Sequence, residues 1–490
     1  MTPVTRERPT VTVGAISIEP IVRGAVPAGV RTSLGPGSPA DARARRGPTG
    51  PTGNRVKNRN PALMFALLGS AMMSYTALRV GEILVSDLLF LLAAVAIVGK
   101  SLTGNDADLA PPGGRRGSSL VLIGALLLLT AGTLSSLRSW DPSGSMKVVL
   151  RFAWVTLVWF WILRTVCRDR ADFYRVLRAW KLSSVLTAAA AVLGYMGIAF
   201  ISEQAGNRQV GLATHPNHLA GHLGATFVLF LLAVPREEGM PRRRARVWWL
   251  ASLALCSTAL FASGSISGLL SITTAMLVVA AVFLVTRTPR STRRRSPLAP
   301  LAVLAVLMAG TTALLTSDLP VVDRITRFRE GDTYVTASVD SRGSRNSLVT
   351  DRFDEYLVVG LGFNHESLGV TRSNNPDDPA VRSFGVHNMY LGMLYQAGLA
   401  AVIGVAIVLI AACRQLAALL RRTDAELYLT TLALVGSLTA VITTSMFQPT
   451  GFDRFFWMPV AMTGCLWSVR RRELRDAAAS SEQRVPAPAD

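Results

Sequence analysis

Charge is scarce in this chain of 490 residues: 17% of it is Asp, Glu, Lys or Arg, where a soluble protein carries about 25%. Cysteine is scarcer still. The four present (Cys167, Cys256, Cys413, Cys465) fall within or beside apolar segments, with no CxxC spacing, which excludes a disulfide framework and a cysteine-based zinc cluster. Lysine is almost missing: 4 of the 51 basic residues are Lys and 47 are Arg, a bias that suits a GC-rich bacterial genome. A signal-peptide run is also lacking from residues 1–60, which are rich in Arg, Pro, Gly and Thr. They read as a disordered basic cytoplasmic tail lying against an anionic inner leaflet.

What the chain has instead is hydrophobicity in blocks. Half of it is apolar, gathered into runs of membrane-spanning length. Twelve spans are expected, at about 62–77, 82–98, 118–137, 147–164, 182–202, 216–234, 247–262, 266–286, 298–316, 387–411, 425–447 and 455–469. Arginine bias orients them. With the N-terminus inside, Arg168–Arg178 and the clusters Arg242–Arg246, Arg290–Arg295, Arg421–Arg422 and Arg470–Arg472 are cytoplasmic, while short outer loops hold single arginines such as Arg79, Arg138, Arg208 and Arg454. The net charge of +20 therefore describes cytoplasmic anchors, and no nucleic-acid partner is expected. The fold class is an all-α polytopic integral membrane protein of about 12 transmembrane helices with both termini cytoplasmic. Spans 1–9 occupy 61–316, a long extracytoplasmic loop 317–386, spans 10–12 residues 387–470, and a disordered cytoplasmic tail 471–490.

The loop of about 70 residues carries eight arginines, and a connection that long is functional more often than not. A helix is expected over Ser347–Val358, with Leu348, Phe353, Tyr356 and Leu357 on one face, before a glycine turn at Gly360 and Gly362. All five histidines (His215, His218, His222, His365, His387) map to the outer side. Arginine suits bidentate phosphate binding and histidine suits proton abstraction from a hydroxyl. The combination points to an outer site for a phosphate-bearing, lipid-linked substrate.

Three segments carry a sharper signal: Arg208-Gln-Val-Gly211 with His215-Pro216-Asn217-His218; Ser341-Arg342-Gly-Ser-Arg345 followed by Val359-Gly360-Leu-Gly362; and His387-Asn388-Met-Tyr390 followed by Gln396-Ala-Gly398. Their order and topology resemble the O-antigen ligase and polymerase superfamily of bacterial membrane glycosyltransferases, over roughly residues 200–410. The resemblance implies a GT-C-like fold in the cytoplasmic (inner) membrane, a polyprenyl-diphosphate-linked glycan donor, a glycan or lipid acceptor, and inverting transfer without metal or other cofactor. Membrane lipids and polysaccharide assembly proteins would be the other partners. It implies His387 as catalytic base, with Arg208 and Arg342 or Arg345 as diphosphate ligands. His215, Asn217, Asn388 and Tyr390 are further candidates for substrate contact. In this sequence Asn346 or Ser347 and Leu357 stand where the family often has an aromatic residue and a proline.

Plainer readings stand beside these. Arg208 reads equally as a snorkelling interface residue, and His387 as an interfacial helix cap. His215, His218 and His222 lack an acidic or cysteine ligand nearby, so cavity lining is preferred to zinc. Asp87 and Arg151 are cavity candidates near span ends. Ser263–Gly268 reads as a small-residue turn for close helix packing. Rival functions are a polymerase of the same superfamily, a secondary transporter or lipid-linked oligosaccharide flippase, and a cell-wall scaffold. No internal repeat of the transporter kind is visible.

Overall fold

The computed structural model describes residues 60–76, 78–80, 83–103, 119–139, 141–198, 204–205, 208–233, 242–286, 326–327, 330, 346–347, 349–351, 353–363, 386–422, 425–449, 451 and 453–482. The helices are α1 (Pro61–Ala71), α2 (Val85–Leu102), α3 (Ser119–Arg138), α4 (Pro142–Ala153), α5 (Trp159–Val166), α6 (Arg170–Tyr195), α7 (Pro216–Leu232), α8 (Arg242–Ala262) and α9 (Ile266–Val285). They continue with α10 (Phe353–Tyr356), α11 (Met389–Ala397), α12 (Leu399–Arg422), α13 (Ala425–Ser445) and α14 (Arg454–Glu482). A π-helical turn over Trp154–Val158 makes α4 and α5 one continuous rod. Among the described residues, strand is confined to two small antiparallel hairpins, β1 (Arg79–Val80) with β2 (Ile83–Leu84) and β3 (Gln204–Ala205) with β4 (Arg208–Gln209).

The helices start where the chain supplies caps. Asn60, Asp141, Asp169, Ser265 and Asn388 each accept a backbone N–H at an N-terminus, and proline follows the cap in α1 and α4. Among the described residues, eight helices are long and apolar enough to cross a membrane. Their outward faces stay greasy: Leu91, Val95 and Val98 on α2, Leu122 and Ile123 on α3, and Leu277 and Leu284 on α9 are all exposed. An apolar surface of that extent belongs in lipid rather than water, and the chain is a mostly helical, membrane-embedded protein.

Helices α7 and α13 form the centre. Most of α7 is buried, and it is flanked by α6, α8, α9 and α13. Small residues set the closest crossings. At α3–α12, a methyl group at Gly124 would lie 2.6 Å from the Gly404 carbonyl oxygen, and one at Gly404 equally close to that of Gly124. Van der Waals contact between the two backbones therefore requires glycine on both sides.

The expected tenth span is broken. Gly398 (φ 79°, ψ 179°) separates α11 from α12, in a region of backbone space that only glycine occupies without strain. The freed backbone groups are taken up by residues 357–362: Leu361 N donates to the Tyr395 carbonyl (3.0 Å), Gly362 N to Gln396 (2.9 Å), and Leu399 N to Leu357 (2.8 Å). Side chains at 360 or 398 would overlap this contact. Phe363 N then donates to Ser145 Oγ (2.8 Å), stitching the loop to α4.

Three expectations change here. Residues 471–482 are helical, as the end of α14, instead of disordered. The helix expected over Ser347–Val358 is present, with the described residues 346–347, 349–351 and 353–356 all helical (α10 is its last turn), but Tyr356 is buried while Phe353 is 41% exposed, so the two do not share a buried face; Val349 takes the inner position. Tyr195 and Arg170 bound the fifth span, which starts earlier than expected because Asp169 caps it. Residues 1–59, the expected span at 298–316, and Leu348 lie outside the described residues.

Gly398→Ala is expected to lower stability by about 1–3 kcal/mol, read as the melting temperature of the protein in detergent micelles. Gly99→Ala, in α2 with open space around its Cα, is expected to raise it by about 0.5–1 kcal/mol.

Candidate functional site

One end of the bundle gathers a polar cluster from five separate stretches of sequence. It starts at α7, whose first helical residue is Pro216 and whose N-cap is His215. The imidazole itself caps the helix: Nδ1 accepts from Asn217 N at 3.1 Å. A backbone N–H only donates, so Nδ1 carries no proton and the neutral ring holds its proton on Nε2.

Arg208, at the end of the β3–β4 hairpin, is held on the same turn. Its Nε donates to the Ser263 carbonyl (2.8 Å) and Nη2 to Asn217 Oδ1 (2.7 Å). Ser265 Oγ donates to the same Asn217 oxygen at 3.1 Å. Gln448 Nε2, from the turn between α13 and α14, reaches Ser267 Oγ at 3.2 Å. Two of the five guanidinium donors thus fix the arginine in one orientation, which a snorkelling side chain would not have. The Ser263–Gly268 turn does pack closely, since a methyl on Gly268 would lie 2.6 Å from Ala220 Cβ. It also supplies the polar partners of Arg208 and Asn217, a role that packing alone does not explain.

A second group of charges adjoins the first. His218 Nε2 lies 3.8 Å from Asp453 Oδ2. That oxygen is buried without a hydrogen-bond partner. Burial pushes the Asp453 carboxyl above the usual range, while His218 and Arg454 pull it back less strongly. Arg454, next in sequence, forms a two-point ion pair with Asp87 at the start of α2. Trp154 Nε1, in the π turn, donates to Asp87 Oδ1 at 3.1 Å. The cavity expected around Asp87 is therefore filled by its partners; Arg151 is exposed.

His222 departs from the expected cavity lining. It is buried in the bundle, with Nε2 at 2.9 Å from Ser184 Oγ and its ring edge-on to Phe455. The three histidines of α7 therefore face three environments. Among the described residues no group of His, Cys, Asp and Glu is arranged to hold a metal ion.

His387 is half-buried one residue before the cap of α11. It precedes the helix rather than opening it, because Asn388 is the cap: Oδ1 accepts from Tyr390 N (2.9 Å) and Leu391 N (3.2 Å). The carboxamide oxygen of Asn388 is thereby committed to the helix start and not to a histidine tautomer. Tyr390 Oη donates to the Ile442 carbonyl at 3.3 Å. The turn after α13 links the two halves of the cluster: Gln448 reaches Ser267 on the α9 side, and Gly451 packs on Met389 and Met393 on the α11 side. Arg342, Arg345 and His365 lie outside the described residues.

Sequence reasoning missed Asp453, Gln448 and the Asp87–Arg454 pair. A readable signal existed in the adjacent Asp453-Arg454 at the mouth of the last span, since charges entering hydrocarbon need partners. No family model matches the chain, and no curated protein is significantly similar to it.

Asp87→Ala leaves the half-buried Arg454 without its carboxylate and is expected to cost about 2–4 kcal/mol, most of it recovered in the double variant Asp87→Leu/Arg454→Met; thermal melts of the three proteins decide this. For Asp453 the sign follows from its raised carboxyl. A group with a raised folded-state pKa stabilises most below its unfolded value and loses that contribution as pH rises through the folded value. Asp453→Asn is therefore expected to melt above the wild type near pH 7, with the gap closing as pH falls toward about 4.

Proposed function

We propose that this chain is a membrane glycosyltransferase of the O-antigen ligase type, moving a glycan from a polyprenyl-diphosphate carrier to an acceptor hydroxyl outside the cytoplasm. The observation that carries the reading is that Arg208 is fixed on Asn217 beside the His215 cap of α7, and that the turn 448–451 joins this group, through Ser267, to Met389 at the start of α11, directly after His387-Asn388. These residues come from distant parts of the chain and coincide with the motifs that resemble the superfamily. The topology proposed with it has both termini cytoplasmic in a bacterial inner membrane, with twelve spans.

In this mechanism Arg208, with Arg342 or Arg345 from the loop, binds the diphosphate. Negative charge grows on that group as the anomeric C–O bond breaks, so a fixed guanidinium stabilises the transition state more than the ground state. His387 takes the acceptor proton while the acceptor oxygen attacks the anomeric carbon from the opposite face, which inverts it. No metal has a role in these steps. His215, Asn217, Asn388 and Tyr390 line the approach, Asn217 and Asn388 through the arginine and the helix they hold. A polymerase differs only in using a second repeat unit as acceptor. The broken helix at Gly398 also suits a flippase, since interrupted spans line transport sites.

The test follows glycan in a deletion strain carrying His387→Ala or Arg208→Ala, each shown to reach the membrane at wild-type level. The expected result is a loss of transfer of about 10²–10⁴-fold for His387→Ala, with lipid-linked precursor accumulating on the outer leaflet. Full activity in both variants would sink the site assignment, and precursor trapped on the inner leaflet would establish a flippase.

A further inference from the structure

Two titratable groups at the outer cluster have no part in the mechanism above. His218 and Asp453 face each other at 3.8 Å, beyond hydrogen-bond length and within ion-pair range once the ring is protonated. Asp453 Oδ2 is buried with no hydrogen-bond partner, an arrangement that costs stability unless something supplies a proton to it. His218 is 29% exposed, so its ring is reachable from the site. With Nε2 turned to Asp453, Nδ1 lies on the opposite edge of the ring. The neighbouring residue Asn217 holds Arg208, which places His218 on the same helical turn as the diphosphate ligand. The other charged or titratable groups around it are His215, with ring centroids 5.8 Å apart, and Arg454, which is paired with Asp87.

We propose that His218 is the acid of this site, giving a proton to the departing diphosphate, and that Asp453 is the positioning residue that holds its imidazolium. The proposal rests on the transferase reading. The acceptor hydroxyl proton goes to His387, and the acceptor oxygen forms its bond to the anomeric carbon. The bond from that carbon to the diphosphate breaks with its electron pair staying on the phosphate oxygen. His218 Nδ1–H passes its proton to the diphosphate, and the neutral ring is recharged from water as His387 releases its own proton. One histidine thus works on each side of the reacting carbon: His387 at α11 for the acceptor, His218 at α7 for the leaving group.

The test uses the purified full-length chain in detergent micelles, with undecaprenyl diphosphate as the probe and binding followed between about pH 5 and pH 8, the range over which imidazole changes charge. Wild-type protein is expected to bind about ten- to hundredfold tighter than His218→Gln at the acid end, the ratio falling toward one at the alkaline end. Asp453→Asn, a second and sterically conservative variant, is expected to keep part of this pH-dependent advantage. Arg208→Ala is expected to weaken binding across the whole range. If the wild type binds and Arg208→Ala weakens it, but His218→Gln follows the wild-type pH profile, the acid role is overturned while the transferase reading stands. If the wild type does not bind the probe, or Arg208→Ala binds as the wild type does, the transferase reading itself fails and the acid role falls with it.

Discussion

Hydrocarbon offers no water to a backbone N–H or carbonyl, so every irregular segment inside a membrane bundle has to find its partners in protein. The break at Gly398 is where this constraint shapes the molecule. Ending α11 after nine residues orphans the carbonyls of Tyr395 and Gln396 and the N–H of Leu399, and all three are matched by Leu357, Leu361 and Gly362. The segment 357–363 is therefore part of the bundle, anchored again where Phe363 meets Ser145. Helix α11 is held at both ends: the Gly360–Gly362 turn closes on its C-terminus, and His387-Asn388 forms its N-terminus. His387, directly before the cap of α11, is thus carried by a short, doubly tied element.

The charges obey the same logic. Asp87, Asp453, Arg454 and Arg208 sit where apolar helices meet, and each is answered by a side chain or carbonyl from another element. Asp87–Arg454 joins α2 to α14, and Trp154 ties the π turn to the same carboxylate. Burying such groups is expensive, and pairing repays it only when the geometry is good. Asp453 is the least satisfied of them, with an oxygen that lacks a hydrogen bond, so it is the group whose state responds most to its surroundings. At the opposite end, Glu473 binds Arg170 and Arg470, and Arg472 Nε donates to the Arg168 carbonyl at 3.2 Å. That end is braced by Glu473, which pairs with two arginines, and by an arginine-to-carbonyl hydrogen bond.

The helical character and the places where helices run were legible, because apolar blocks of spanning length and polar interruptions are written directly into a one-dimensional pattern. The caps Asn60, Asp169 and Asn388 are equally local in origin but emerged only from the structure. The interruption of the tenth span was not read, although Gly398 stood in plain view: glycine is common in membrane helices, and only the arriving loop decides that this one breaks. Arg208, Asn217 and His387 stood out in the sequence through the motifs that resemble the ligase and polymerase superfamily. Their partners did not, because Ser263, Ser265, Gln448 and Asp453 become neighbours of α7 only through the packing of α8, α9, α13 and α14.

The sequence by itself determined the class of molecule, its solvent and the approximate register of its helices, since these follow from transfer free energies summed along the chain. Tertiary structure alone decided which charges pair, which histidine is buried against Ser184 and which faces a carboxylate, and that residues 357–362 complete a broken helix. Those outcomes depend on distances of a few ångströms between residues as much as 367 positions apart, a separation over which no local pattern carries information.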